Sequence, residues 1–198
     1  MIELTLTDFL NIVQTTGMSK LSKIRKIKTR EYNPASDYYK PLREAIVGVL
    51  TSGGNVNDIL PVANGALPIR QQNYKKVAEN FIRWISSKKG WKWAHPPHAV
   101  YGNGTINISV KPELSFIDKN KNLHVIKIHL NKEPLSKGKL DSAGCLIDKA
   151  LSSKCNSATS FYFLDLHQGK LFTVRKTQGA EVFLDAELVY IESIWNSA

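Results

Sequence analysis

The run Leu123-His-Val-Ile-Lys-Ile-His-Leu130 limits the fold more than any other stretch of this chain, because it carries aliphatic residues at both odd and even positions. A strand with one wet face alternates apolar and polar residues, so a run that is apolar on both faces predicts a central strand covered on both sides. Ahead of it, Ile106, Ile108, Val110, Leu114 and Phe116 do alternate with polar residues, which predicts one long strand carried past Pro112. The polar segment from Asp118 to Asn122 then reads as the loop of a hairpin. If Ile117 pairs with Leu123, Ser115 meets Val125, Glu113 meets Lys127 and Lys111 meets His129, all on one face. Each buried charge of the hairpin is thereby given a partner, which is what burial of a charge requires.

Around this hairpin the sequence predicts helices. The first ninety residues follow a helical period: one or two helices from about Leu6 to Ile27 broken near Gly17, then a helix on Tyr38, Leu42, Ala45, Ile46, Val49 and Leu50. Asn33-Pro34 lies ahead of that helix, Pro41 is tolerable in its first turn, and Ser52 to Asn55 ends it. An irregular stretch with Pro61, Gly65 and Pro68 leads to a helix from Ile69 to Lys89, its inner stripe Val77, Phe81, Trp84 and Ile85, stopped by Gly90. From Trp91 the period changes to two. After the central strand come a helix with Leu140, Gly144, Ile147 and Leu151 inside, a hairpin from Ser160 to Lys176 turning at His167 to Lys170, and a closing helix from about Asp185 to Trp195. The expected fold class is α/β (α+β), with an N-terminal helical region over residues 1–90 and a mixed sheet flanked by helices over residues 91–198, the two able to pack as one domain.

At 42% hydrophobic and 22% charged residues the chain has the profile of a globular protein that buries a real core. Its longest apolar run, Ala45 to Leu50, is too short to span a bilayer, and Glu3 and Asp8 stand where a secretory signal carries basic residues, so the expectation is a cytoplasmic protein with no membrane partner. Two cysteines, Cys145 and Cys155, form no CxxC pair and read as buried thiols. Lys and Arg total 27 against 17 Asp and Glu, a formal charge of +10. Such an excess favours a polyanion, DNA or RNA, through Coulomb attraction and counterion release. Six of the charges, Lys20, Lys23, Arg25, Lys26, Lys28 and Arg30, fall within eleven residues, on a segment whose Met18, Leu21, Ile24 and Ile27 supply a buried side. These six, with Lys111, are the expected phosphate contacts.

A strand, a tight turn, a strand with an acid and a lysine side by side, then a helix and a further strand, resembles the PD-(D/E)XK nuclease superfamily over roughly Trp91 to Lys176. The resemblance rests on Pro112-Glu113 and on Val125-Ile-Lys127. It implies a mixed-sheet nuclease core in which Glu113 is a ligand of a catalytic Mg²⁺ and Lys127 positions or activates the attacking water. The position of the second metal-binding acid holds Val125, which cannot ligate a hard cation; Glu133, Asp141 and Asp148 are the nearby carboxylates able to replace it. The expected function is therefore a nuclease-like protein that binds nucleic acid and is catalytically degenerate, needing no cofactor, or Mg²⁺ if active. The alternative is a non-enzymatic interaction or regulatory factor, associated with a mobile element or a defence system, that keeps the fold as a scaffold. His95, His98, His124 and His129 lack metal-ligand spacing, and Trp91, Trp93 and Tyr101 beside Lys92 and His98 offer either core aromatics or base-stacking surfaces.

Overall fold

The computed structural model describes residues 1–31, 37–175 and 177–197; Asn33, Pro34 and Lys176 lie outside the described residues. The order is β1 (Ile2–Thr5), α1 (Leu6–Val13), α2 (Gly17–Lys28), α3 (Lys40–Ser52), α4 (Ile59–Asn64), α5 (Pro68–Ser86), β2 (Lys92–Trp93), β3 (Ala99–Gly102), β4 (Ile106–Val110), β5 (Leu114–Ile117), β6 (Leu123–His129), α6 (Lys137–Leu151), β7 (Ser160–Asp165), β8 (Lys170–Val174) and α7 (Ala180–Ser197). The fold is mixed α/β. Strands β2-β5-β6-β7-β8 make one sheet and β1-β4-β3 a smaller one. In the larger sheet β6 and β7 are parallel and the other neighbours antiparallel. Parallel neighbours need a long crossover, which α6 supplies.

The two-faced run Leu123–Leu130 lies at the centre of the larger sheet, as its pattern demands. On one face Leu114, Phe116, Ile126, Ile128 and Leu164 pack with Leu42, Ile46, Tyr74, Val77 and Phe81 of α3 and α5. On the other, Phe163 and Val174 join a second cluster made by α1, α6, α7 and the smaller sheet, with Phe9, Ile12, Ile106, Ile108, Ala143, Leu146, Leu184 and Leu188 at its centre. Residues 1–90 and 91–198 therefore share both clusters.

Several expectations are corrected. The first residues are not helical: Ile2–Thr5 form β1, parallel to β4, with Ile2 and Leu4 turned inward. The single long strand through Pro112 is two strands in two different sheets, β4 ending at Val110 and β5 beginning at Leu114. Proline has no N–H to donate, so the ladder stops there and the chain changes sheets. The paired ladder of β5 and β6 accordingly ends at Leu114 opposite Ile126, and Lys111 does not pair with His129. The stretch expected to be irregular holds a short 3₁₀ turn, Val56–Asp58, and α4, where Pro61 falls in the first turn and costs no hydrogen bond. Helix α7 starts at Ala180, about a turn before the expected point.

Candidate functional site

Glu113 and Lys127 meet, in the register expected: Ile117 pairs with Leu123 and Ser115 with Val125. Lys127 Nζ donates to Glu113 Oε1 at 2.5 Å and to the carbonyl of Lys111 at 3.1 Å. Glu113 Oε2 accepts from Ile128 N at 2.8 Å. This last bond has a local cause. Once the chain has left the sheet at Pro112, β6 loses its ladder partner beyond Ile126, and the carboxylate of Glu113 occupies the place of the missing carbonyl. The pair is largely shielded, with side-chain exposures of 15% for Glu113 and 14% for Lys127.

The pair borders a cleft of about 640 Å³ between the sheet and the N-terminal segments. Two further ion pairs line it. Arg30 grips Asp8 with both guanidinium nitrogens, at 3.0 and 3.1 Å, and the bond raises the pKa of Arg30 further, against the effect of its burial. Asp8 also completes the N-terminal cap of α1: its backbone N–H donates to Thr5 Oγ1, while its carboxylate accepts from Thr5 N and Thr5 Oγ1. Arg43 bonds Asp37 at 2.6 Å. His129, which also lines the cleft, contacts the carbonyl of Glu133 at 2.7 Å; burial lowers its pKa, and the carbonyl and the nearby Asp165 only partly oppose this. Beyond Leu130, His167 Nε2 lies 3.0 Å from the Leu130 carbonyl and 2.9 Å from Tyr39 Oη. Burial, reinforced by Tyr38 and Tyr74, pushes the Tyr39 phenol up to about 12, so it stays protonated. Asp8, Arg30, His129 and Lys139 are not legible as one site in the sequence, since they come from four separate segments; only the Thr5-x-x-Asp8 capping pattern gives a local signal.

Of the basic residues expected to meet phosphate, Arg25 and Lys26 are exposed on α2 and Lys23 is half-buried. Lys20 is corrected: it is buried, forms an ion pair with Glu187 of α7 and lies 4.7 Å from the centre of the Tyr190 ring. It sits one turn before Ile24 on the inner side of α2, which is why it faces α7 rather than solvent. Lys28 donates to the carbonyl of Trp195 and Arg30 is held by Asp8, so both are tied to the fold while remaining accessible. Lys111 is exposed at the cleft edge.

Glu133, Asp141 and Asp148, the carboxylates able to replace the missing acid by sequence position, do not line the cleft; Asp141 accepts from Thr177 Oγ1, and the cleft carboxylates are Asp8, Glu31, Asp37 and Glu113. Among the described residues no three His, Cys, Asp or Glu side chains are grouped to hold a metal ion. Val125 is buried, and both oxygens of Glu113 already accept hydrogen bonds. The donor set therefore does not fit the Mg²⁺ that the nuclease resemblance implies. His124 lies elsewhere, stacked on Trp91 with ring centres 4.3 Å apart and bonded to Asp118. Burial opposes ionisation of Asp118, but bonds from Asn122, His124 and Asn120 outweigh it and hold the carboxyl at about 2. Trp91 and Trp93 pack against the α3–α5 cluster and Tyr101 against the other, which occupies the rings. No model of a known protein family matches the sequence, and no curated protein is similar to it.

Proposed function

We propose that this protein binds nucleic acid along the cleft and the exposed side of α2, on a nuclease-like framework that no longer carries out metal-dependent cleavage. The observation that carries this reading is the state of Glu113. One oxygen is taken by Lys127 and the other by the Ile128 amide, and a buried valine stands two positions before the lysine. An acid and a lysine kept side by side on a hairpin, followed by helix α6 and the parallel strand β7, support the kinship with PD-(D/E)XK nucleases. The charge of +10 supports a polyanion as the partner.

The test is binding of single- and double-stranded DNA and of RNA across a salt series, together with cleavage assays in Mg²⁺ and Mn²⁺. Affinity is expected to fall linearly on a log–log plot, with Arg25→Gln/Lys26→Gln flattening the slope by roughly 1.5 because two phosphates are no longer neutralised, and no substrate should be cut. Metal-dependent cleavage abolished by both Glu113→Gln and Lys127→Ala would overturn the degenerate reading.

A second reading, a protein-interaction factor, is favoured by α7. Its outer side exposes Val182, Phe183, Val189 and Tyr190, away from the buried Leu184, Leu188 and Ile191. A helix apolar on two sides suits a protein partner. Salt-independent, weak oligonucleotide binding would favour this second reading.

A further inference from the structure

Lys139 differs from Arg30, Arg43 and Lys127, the other shielded or paired cations of the cleft. Arg30, Arg43 and Lys127 each face a carboxylate, whereas Lys139 has no hydrogen bond or ion pair from its ammonium to any described residue. It is only 5% exposed and lines the cleft, in the first turn of α6. A buried ammonium without a direct ion-pair partner is expensive to keep. Burial accordingly lowers its pKa, with Glu133 acting in the opposite sense and Lys23 adding to the shift. The start of α6 adds to the positive character of the spot. Ser136 caps the helix by accepting from Lys139 N at 3.2 Å, and the preceding first-turn amides lack intrahelical partners. The helix dipole points its positive end the same way. Nearby His129 offers Lys139 no counter-charge in either protonation state, and Lys139 adds to the lowering of its pKa that burial begins. Ser109 Oγ, also lining the cleft, has no hydrogen-bond partner among the described residues either.

We propose that Lys139 and the N-terminus of α6 form a phosphate subsite in the cleft, where one backbone phosphate of the bound nucleic acid supplies the direct ion-pair partner that Lys139 lacks among the described residues. This rests on the nucleic-acid reading above for the identity of the ligand, but the phosphate chemistry stands independently of it. Lys23, half-buried on α2, adds to the same positive field. Glu113 and Lys127 then act as a neutral wall of the cleft.

The experiment uses the full chain with ¹³C-labelled lysine and two probes, inorganic pyrophosphate and a short single-stranded oligodeoxynucleotide. Saturable movement of the Lys139 Cε signal with pyrophosphate is expected, absent in Lys139→Met. The methionine keeps the buried stem without its charge, so the variant should melt no lower than the parent. The oligonucleotide salt slope should be shallower in Lys139→Met by about 0.7, the value of one single-strand phosphate. A Lys139 signal unmoved by pyrophosphate, with an unchanged oligonucleotide slope in Lys139→Met, would overturn the subsite while leaving nucleic-acid binding intact. Pyrophosphate binding at Lys139 in a protein that binds no oligonucleotide would establish the subsite and overturn the nucleic-acid reading instead.

Discussion

Glu113 is held by two donors of different kinds, and replacing it separates them. In Glu113→Gln the amide oxygen can still accept from Ile128 N, but the ammonium of Lys127 loses its counter-charge in a site where its side chain is 14% exposed. Removing one member of a shielded ion pair leaves the other charge desolvated, a cost of about 3 kcal/mol. Denaturant unfolding of Glu113→Gln should therefore give a loss of that size, and Glu113→Gln/Lys127→Met should recover most of it, because no uncompensated charge remains. A loss under about 1 kcal/mol for the single variant would mean that water screens the pair as it screens surface ion pairs. The same logic makes Lys139 conspicuous: it is shielded as Lys127 is, without Lys127's partner.

At the scale of elements, β6 decides the architecture. Its even-numbered side chains Ile126 and Ile128 sit among α3–α5, and its neighbours β5 and β7 are ordered on either edge. Truncating Ile128 to alanine should cost about 2–5 kcal/mol by the removal of buried methyl groups and the cavity left behind, read from the shift in the denaturation midpoint at constant slope. A value below about 1 kcal/mol would mean that the helices close the gap or that the strand is less confined than its 6% exposure indicates. Helix α2 shows where periodicity holds only in part: Ile24 is fully buried and Ile27 packs against the same cluster, but the first turn departs from the pattern. Met18 recurs with Leu21 and Ile24, a spacing that predicts an inward side chain, yet it is 74% exposed, while Lys20 is buried. The helix is turned so that the long aliphatic stem of Lys20 packs along α7 and its ammonium reaches Glu187.

For the whole molecule, acid stability follows from two imidazoles, His129 buried and His167 half-buried. His129 and His167 both have pKa values lowered by burial from the ordinary 6.5. The unfolded chain therefore binds protons at these sites more readily than the folded one between the lowered values and 6.5. Stability is full above about pH 6.5 and falls as the pH drops below it. Thermal melts from pH 7.5 to 5 should show a falling melting temperature, and His129→Gln/His167→Gln should flatten that fall. An unchanged profile in the double variant would place the acid sensitivity in other groups. His129 lines the cleft, and His167 contacts two of its lining residues, Leu130 and Tyr39.

Local pattern determined the central strand, the hairpin register that brings Glu113 to Lys127, the break at Gly17 and the αL termination of α3 at Gly53, because each depends on period, turn length or a positive φ within a few residues. What only the tertiary structure decided depends on contacts distant in sequence. Ile2–Thr5 become a strand because β4 offers a parallel edge about a hundred residues away. The run through Pro112 divides because two sheets compete for its halves. Asp8 of α1, Arg30 after α2, His129 of β6 and Lys139 of α6 face one cleft because the packing of α1 against α6 and β4 closes it. Periodicity reports which side of an element is buried, but not what it is buried against, and the charges that define this site differ in just that respect.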